Sequence, residues 1–383
     1  MKFLEEKHFE FQPLLWEIAV ELENSTTGEA MLSTVEDSPY HREENVWVHT
    51  EMTVLSYLET FAAVRPLQEN VKAVCSLLFH DTGKPEAEET LERKDGSGTY
   101  RRYAGHEQLS AVTFTEFWLK SKKLQDLLSP EEARQVRWMI EHHLPYDLKD
   151  SRKRQNLRRA VVASLSDYTT FFDVLRSDAA GRISDDHPAK LQSVEQWITD
   201  FSNLIPAEPP VIDESEGTCY ILIGASGSGK SSYFREHLQD TVYHSLDMLR
   251  IMFFAHANGN SVSSDKSIYE EAWKFCVQND SDFNSYVSKM LKKDFADADR
   301  RKYGVTIDNV NSSRKARARY VDFARQHKMK IVAVEFWNDL ETLLSRQNTR
   351  SDKKVPDAAV ISQYLKQTCA DLGVEADEVI IQT

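Results

Sequence analysis

Residues 218–232 read TCYILIGASGSGKSS. An apolar run of five residues, a glycine-rich turn and a closing Lys-Ser are compatible with few folds. The backbone N–H groups of such a turn wrap a polyphosphate only if a buried strand leads in and a helix N-terminus leads out. SSYFREHLQ supplies that helix. The runs TVYHSL, GVTIDNVN, MKIVAVEF and EVIIQT follow, rich in β-branched residues and separated by helical segments. Strands alternating with helices predict a parallel sheet covered on both faces. Residues 218–383 are therefore expected to form an α/β domain.

Upstream the pattern changes. VWVHTEMTVLSYLETFAAV, NVKAVCSLLFHD, HEQLSAVTFTEFWLK, SPEEARQVRWMIEHH and LRRAVVASLSDYTTFFDVLRSDAAG carry apolar residues at helical spacing. SPEE joins a capping serine to a proline and two acids, a strong helix start. No run there alternates like a strand, and LERKDGSGTYRRYAG reads as a loop or short hairpin. Residues 1–205 are expected to be all-α. The stretch SNLIPAEPPVIDESEG, with three prolines and four acids, separates the halves, and 206–217 is expected as the linker.

The net charge of −14 argues against broad nonspecific duplex binding. It is unevenly spread. Residues 301–350 hold eleven bases and five acids, and SRKRQNLRR makes a second basic run at 151–159. A local basic groove suits a short phosphodiester strand. No run of 18 uncharged apolar residues occurs, and MKFLEEKHFEFQPLLW lacks a signal core, so a cytoplasmic protein without membrane contact is expected. Cys75, Cys219, Cys276 and Cys369 form no CxxC and are expected as buried free thiols.

The turn Gly224-Ala225-Ser226-Gly227-Ser228-Gly229-Lys230-Ser231, with Ser232 after it, is expected to hold ATP. Lys230 reaches the β and γ phosphates and Ser231 holds Mg2+. At the end of the next strand, Asp247 and Arg250 lie three apart and share a face if a helix starts there. A carboxylate at that place is set to take a proton from an attacking hydroxyl, and Arg250 to clamp a phosphate on the acceptor. Arg346 and Arg350, one helical turn apart, fit a lid over the transferring phosphoryl group.

In combination these motifs resemble the kinase domain of phage polynucleotide 5′-kinases: GASGSGKS, Asp247-Met-Leu-Arg250, and Arg346 and Arg350 before Lys354-Val-Pro356. The resemblance implies that Asp247 is general base on a 5′-hydroxyl, that Arg250 holds the neighbouring nucleotide phosphate, and that Arg350 with Arg346 stabilises the transition state. IDNVNSSRKARARYVDFAR resembles the family's strand and helix after its third motif, with Asn311 at the turn. The family's Asp is expected where Asn309 stands, with Asp308 as its substitute. Arg314, Lys315, Arg317 and Arg319 line the acceptor groove or face solvent. The phage enzyme's separate phosphatase motif, D-x-D-x-T, is not found.

The first half offers a different chemistry. NVKAVCSLLFHD ends an apolar run in His80-Asp81, a costly pair to bury unless something binds it. His49, His106, His142, His143 and Asp178 fall at intervals on separate helical segments. Several imidazoles with a carboxylate able to span two ions suit a mono- or di-metal hydrolase, and favour Mn2+, Ni2+ or Co2+ over Mg2+. The order H…HD…H…H…D matches HD-domain phosphohydrolases. HDTGKP, GHEQLSA and DAAGR resemble the HD domain of bacterial tRNA nucleotidyltransferases over about residues 40–190. That implies His49, His80, Asp81 and Asp178 around a first metal, and His106 and His142 adding a second, with His143 as the alternative. It also implies Lys84, and with it Arg182, as contacts to a substrate phosphate.

The whole layout resembles bacterial end-healing enzymes that fuse an HD phosphohydrolase to a polynucleotide kinase. Such an enzyme removes a 3′-phosphate, 2′-phosphate or 2′,3′-cyclic phosphate and phosphorylates a 5′-hydroxyl on RNA or DNA ends, preparing both for a ligase. Two other readings compete. One keeps both activities on free nucleosides or nucleotides. The other makes the P-loop an ATP-binding switch regulating an HD nucleotidase or nuclease.

Overall fold

The computed structural model describes residues 1–38, 41–93, 98–144, 150–184, 187–203, 217–259, 268–350 and 355–383. The chain divides into two compact units, Met1–Pro209 and Pro210–Thr383. Of the expected linker 206–217, all but Gly217 lies outside the described residues, as do Lys353 and Lys354 of the expected lid.

The first unit runs α1 (Pro13–Glu23), α2 (Thr26–Ser33), β1 (Val35–Ser38), β2 (His41–Asn45), α3 (Val46–Thr60), α4 (Leu67–Phe79), α5 (Lys84–Ala87), β3 (Glu89–Glu92), β4 (Thr99–Arg102), α6 (His106–Lys120), α7 (Lys122–Leu127), α8 (Pro130–Glu141), α9 (Ser151–Ser164), α10 (Thr169–Ala180) and α11 (His187–Ser202). Helix α4 is the axis, with every residue from Glu69 to Phe79 buried and α3, α6, α8 and α10 packed around it. Its polar members are all partnered. Lys72 reaches Glu69 at 2.6 Å and Gln135 at 2.8 Å, and Asn70 accepts from the Tyr57 hydroxyl at 2.8 Å. The SPEE start of α8 forms a reciprocal box between Ser129 and Glu132.

The all-α expectation needs one correction: β1–β2 form an antiparallel hairpin outside that expectation, while β3–β4 form the short hairpin that LERKDGSGTYRRYAG allows. Each strand has four or five residues rich in charge. With no apolar face to bury, they leave no period-2 signal in the sequence.

The second unit runs β5 (Thr218–Ile223), α12 (Lys230–His237), β6 (Val242–Ser245), α13 (Leu246–Ala257), α14 (Tyr269–Gln278), α15 (Asp280–Arg301), β7 (Val305–Asp308), α16 (Arg314–Gln326), β8 (Lys330–Phe336), α17 (Leu340–Thr349), α18 (Asp357–Leu365) and β9 (Glu378–Gln382). The strands form one sheet in the order β6-β7-β5-β8-β9, with every neighbouring pair parallel. Cys219, Ile221 and Ile223 of β5 pack on one face with Phe295 of α15 and Tyr320 of α16. Leu222 packs on the other face against Tyr233 and Phe234 of α12. This alternation is the period of a strand buried on both faces. In such sheets ligands bind at the carboxyl ends of the strands, where the β5–α12 turn lies here. The four cysteines are free and buried, as expected.

Candidate functional sites

Five helical segments of the first unit bring six side chains to one point. His49 comes from α3, His80 and Asp81 from the end of α4, His106 from the first residue of α6, His143 from just past α8, and Asp178 from α10. Two glycines permit the convergence. A Cβ on Gly83 would lie 2.5 Å from the His106 carbonyl, and one on Gly181 2.6 Å from the Thr53 backbone nitrogen, so any side chain would push α6 or α3 away.

Asp81 is the hub. Its Oδ2 lies 3.1 Å from His80 Nε2 and 3.6 Å from His49 Nε2. Its Oδ1 lies 3.2 Å from His106 Nε2 and 3.7 Å from His143 Nε2. The residues thus form two trios with ligand geometry, His49–His80–Asp81 and Asp81–His106–His143, one on each carboxylate oxygen. Asp178 completes the first side, with Oδ1 at 3.1 Å from His49 Nε2 and 3.8 Å from His80 Nε2.

The histidines are oriented for ligation. Nδ1 of His80, His106 and His143 lies 2.7, 2.7 and 2.8 Å from the carbonyls of Leu77, Tyr103 and Ile140. A carbonyl only accepts, so these nitrogens carry hydrogen and the Nε2 atoms point inward, where ligation would use them. His80 Nε2 is buried, with Asp81 Oδ2 at 3.1 Å but no well-aligned hydrogen bond among the described residues. His106 and His143 set their Nε2 atoms 3.2 Å apart, a contact that needs a proton or a cation between them. Burial, then the neighbouring His106 and His80, push His143 down to about 3, so it is neutral at ordinary pH. Burial raises Asp81, but His80 and Lys84 outweigh it and hold its carboxyl well below the usual range. Burial likewise raises Asp178, against Arg182 and His49, which hold it low. Burial would lower His80, yet Asp81 raises it overall, so the cavity attracts positive charge. This donor set fits a divalent transition ion.

Three expectations are corrected here. His143, not His142, joins the cluster. Helix α8 ends at Glu141, and His142 folds back to stack on Trp138 at 4.0 Å with Nδ1 2.8 Å from the Trp138 carbonyl. Lys84, expected at a substrate phosphate, is buried between Asp81 Oδ2 at 2.8 Å and Glu36 at 2.7 Å. Arg182 holds Asp178 Oδ2 at 3.0 Å. Both cations position carboxylates. Glu36 escaped the sequence reading because it sits in a charged hairpin without a motif.

The second site is a cleft of about 1940 Å³ at the carboxyl edge of the parallel sheet. Residues 226–232 of the glycine-rich turn line it, with Gly224 and Ala225 beneath. Lys230 folds onto the turn, its Nζ 2.7 Å from the Gly224 carbonyl and 2.9 Å from that of Ala225. Ser231 Oγ donates to Asp308 Oδ2 at 2.7 Å, and the Tyr243 hydroxyl donates to the same oxygen. Asp308, the last residue of β7, is therefore the carboxylate beside Ser231. Asn309 binds elsewhere, accepting from Leu246 N and donating to the Tyr320 hydroxyl, both at 2.8 Å. Asn311 makes the turn at φ 49 and donates to the Leu222 carbonyl at 2.9 Å.

Asp247 sits in the first turn of α13, as the spacing predicted, and accepts from Arg250 at 2.8 Å and from the Tyr269 hydroxyl at 2.9 Å. Tyr269 gave no sequence signal. Arg346 reaches the Gly227 carbonyl at 3.3 Å, and Arg350 caps α17 on the cleft wall. Lys315 and Arg319 also face the cleft. Arg314 pairs with Asp371 at 2.8 Å. Arg317 is fully buried and ties Glu375 to the carbonyls of Asn311 and Cys369, so it serves the core.

Residues 220–369 match the family model described as an AAA domain, a match lying wholly within the second unit. Among solved structures, a gluconokinase from Sinorhizobium meliloti 1021 matches at 13% identity and a TM-score of 0.27, over 44% of this chain and 83% of that one. A likeness that low carries no weight for function. No curated protein matches the chain. The second unit is a kinase-like P-loop domain, as its loop, its parallel sheet and the family match agree. No helix among the described residues is long and apolar enough to cross a membrane.

Proposed function

We propose that this chain heals nucleic-acid ends with two separate sites. The first unit is an HD-type phosphohydrolase that removes a 3′-phosphate, a 2′-phosphate or a 2′,3′-cyclic phosphate. The second is a 5′-hydroxyl kinase using ATP and Mg2+. RNA ends are the preferred substrate class and a ligase the natural consumer of the products. The observation that carries the reading is the Asp81-centred pair of ligand trios, in a chain that also holds a P-loop cleft with a carboxylate on its acceptor side.

In the kinase, Asp247 takes the proton of the attacking hydroxyl. Its oxygen bonds to the γ-phosphorus and ADP leaves. Arg250 gives up its contact with Asp247 to hold the acceptor's next phosphate. Arg346 and Arg350 neutralise the transferring group, and Asp308 and Ser231 hold Mg2+. In the phosphohydrolase, His49, His80, Asp81 and Asp178 would hold one Mn2+, Ni2+ or Co2+, and Asp81, His106 and His143 a second. Bound there, the metal supplies Lewis-acid polarisation of a phosphate and a water nucleophile at neutral pH. Lys84 and Arg182 keep the two carboxylates ionised and aimed. No ligand is more than 6% exposed, which favours a slender terminal phosphate over an internal backbone linkage.

The test uses two labelled oligoribonucleotides, one with a 5′-hydroxyl and one ending in a 2′,3′-cyclic phosphate, each incubated with enzyme, ATP and Mg2+ or Mn2+. A new 5′-phosphate and a new 3′-terminal hydroxyl are expected. If neither end changes while ATP still binds, the reading fails.

A further inference from the structure

The basic run at 151–159 serves neither site directly, and its placement raises a question of energy. It forms the start of α9, whose inward face buries Leu157, Ala160, Val161 and Ser164. Arg152, Lys153 and Arg159 are exposed, and Arg154 and Arg158 half-buried. No acid occurs from 151 to 164. The nearby acid Asp150 is the helix cap, accepting from the Lys153 backbone at 2.9 Å. Among the described residues, Arg152, Lys153, Arg154 and Arg159 form no ion pair.

This arrangement works against the helix. Three cations fill the first turn, at the positive end of the dipole, where each costs on the order of 0.3–1 kcal/mol. Arg154 and Arg158, four apart, repel one another. Arg158 is fixed over the Phe201 ring at 5.0 Å. In a chain of net charge −14, a cationic face with built-in repulsion and no ion pair among the described residues is relieved by a polyanion. Only six residues lie between His143 and Asp150, so the α9 cap lies within about 25 Å of that ligand whatever path the chain takes.

Resting on the reading of the first unit as an end-directed phosphohydrolase, we propose that the outer face of α9 docks the single strand whose 3′ end enters the metal cluster. Arg152, Lys153, Arg154 and Arg159 neutralise backbone phosphates upstream of the terminal one. Contacts to these upstream phosphates favour a strand over a mononucleotide, which has none to offer.

The test compares the full chain with the variant Arg152→Ala/Lys153→Ala/Arg154→Ala/Arg159→Ala. The probe is a fluorescent, 5′-phosphorylated 12-mer oligoribonucleotide ending in a 3′-phosphate, measured by anisotropy over a salt series. Losing four single-strand phosphate contacts lowers the slope of log K against log salt by about 2.8. The KM for removing the 3′-phosphate should rise tenfold or more. Hydrolysis of p-nitrophenyl phosphate, which carries no upstream phosphate, should move less than twofold, and the melting temperature should not fall, since alanine favours the helix. An unchanged slope and KM overturn the proposal. If neither protein removes the phosphate yet the slope still falls, the hydrolase reading fails while strand docking on α9 stands.

Discussion

The proposed metal site on Asp81 makes a quantitative demand that does not depend on knowing the substrate. Both trios contain Asp81, one on each oxygen, so Asp81→Asn disables both, whereas His49→Ala and His143→Ala each disable one. An ion that binds only the folded state adds about 2.7 kcal/mol at a hundred times its Kd. For a unit the size of Met1–Pro209, each kcal/mol moves the melting temperature by about 2–4 °C. Saturating Mn2+ should therefore raise the first unit's transition by about 5–11 °C per bound ion over protein in EDTA. The assay is calorimetry of the full chain with and without Mn2+, paired with metal analysis of dialysed protein. Asp81→Asn should show no shift and no retained metal, and each histidine variant a reduced shift. Because the readout is the shift on adding metal, loss of metal-free stability in a variant cancels. An undiminished shift in Asp81→Asn, or none in the wild type with Mn2+, Ni2+ and Co2+ alike, refutes the argument.

Other consequences follow from the same geometry. Asp247→Asn should lower the kinase kcat by about 10²–10⁴, as loss of a general base does, and leave phosphate removal intact. The Asp247–Arg250 pair is partly exposed, so the melting temperature should move by only a few degrees, and a large drop would mark Asp247 as structural. His142→Ala should retain phosphohydrolase activity and His143→Ala lose it, the opposite pattern returning the ligand role to His142. In metal-free protein, His143 is depressed to about 3, so the unfolded chain binds its proton first as pH falls below the ordinary histidine value of 6.5. Stability should then decline from 6.5 toward 3, by up to about 1.4 kcal/mol per pH unit, and His143→Gln should flatten that slope. The Gln347 amide is 1% exposed beside Gly227, with neither polar atom hydrogen-bonded, so Gln347→Met should raise the second unit's stability by about 1–3 kcal/mol in denaturant unfolding.

Much of this protein is local in origin and so legible residue by residue. TCYILIGASGSGKS specifies strand, turn and helix because only that sequence of backbone states lets the loop face a phosphate, and the structure forms each of them. The spacing of Asp247 and Arg250 sets them on one turn of α13, and the apolar run before His80 delivers that pair to the buried end of α4. What the sequence left open is decided by packing between distant segments. His142 and His143 are adjacent and chemically identical, and only the way α8 ends, with one ring stacked on Trp138, chooses between them. Asp308 and Asn309 are likewise neighbours, and the register of β7 against β6 sends the carboxylate to Ser231 and Tyr243. Lys84 looks from its motif like a phosphate ligand, but Glu36 arrives from a distant hairpin and pairs with it, while Arg182 pairs with Asp178 one helical turn back. A motif can specify chemistry and spacing along the chain. Which neighbouring side chain turns inward, and which partner reaches it first, depends on contacts 40 to 130 residues apart that exist only once the helices have packed.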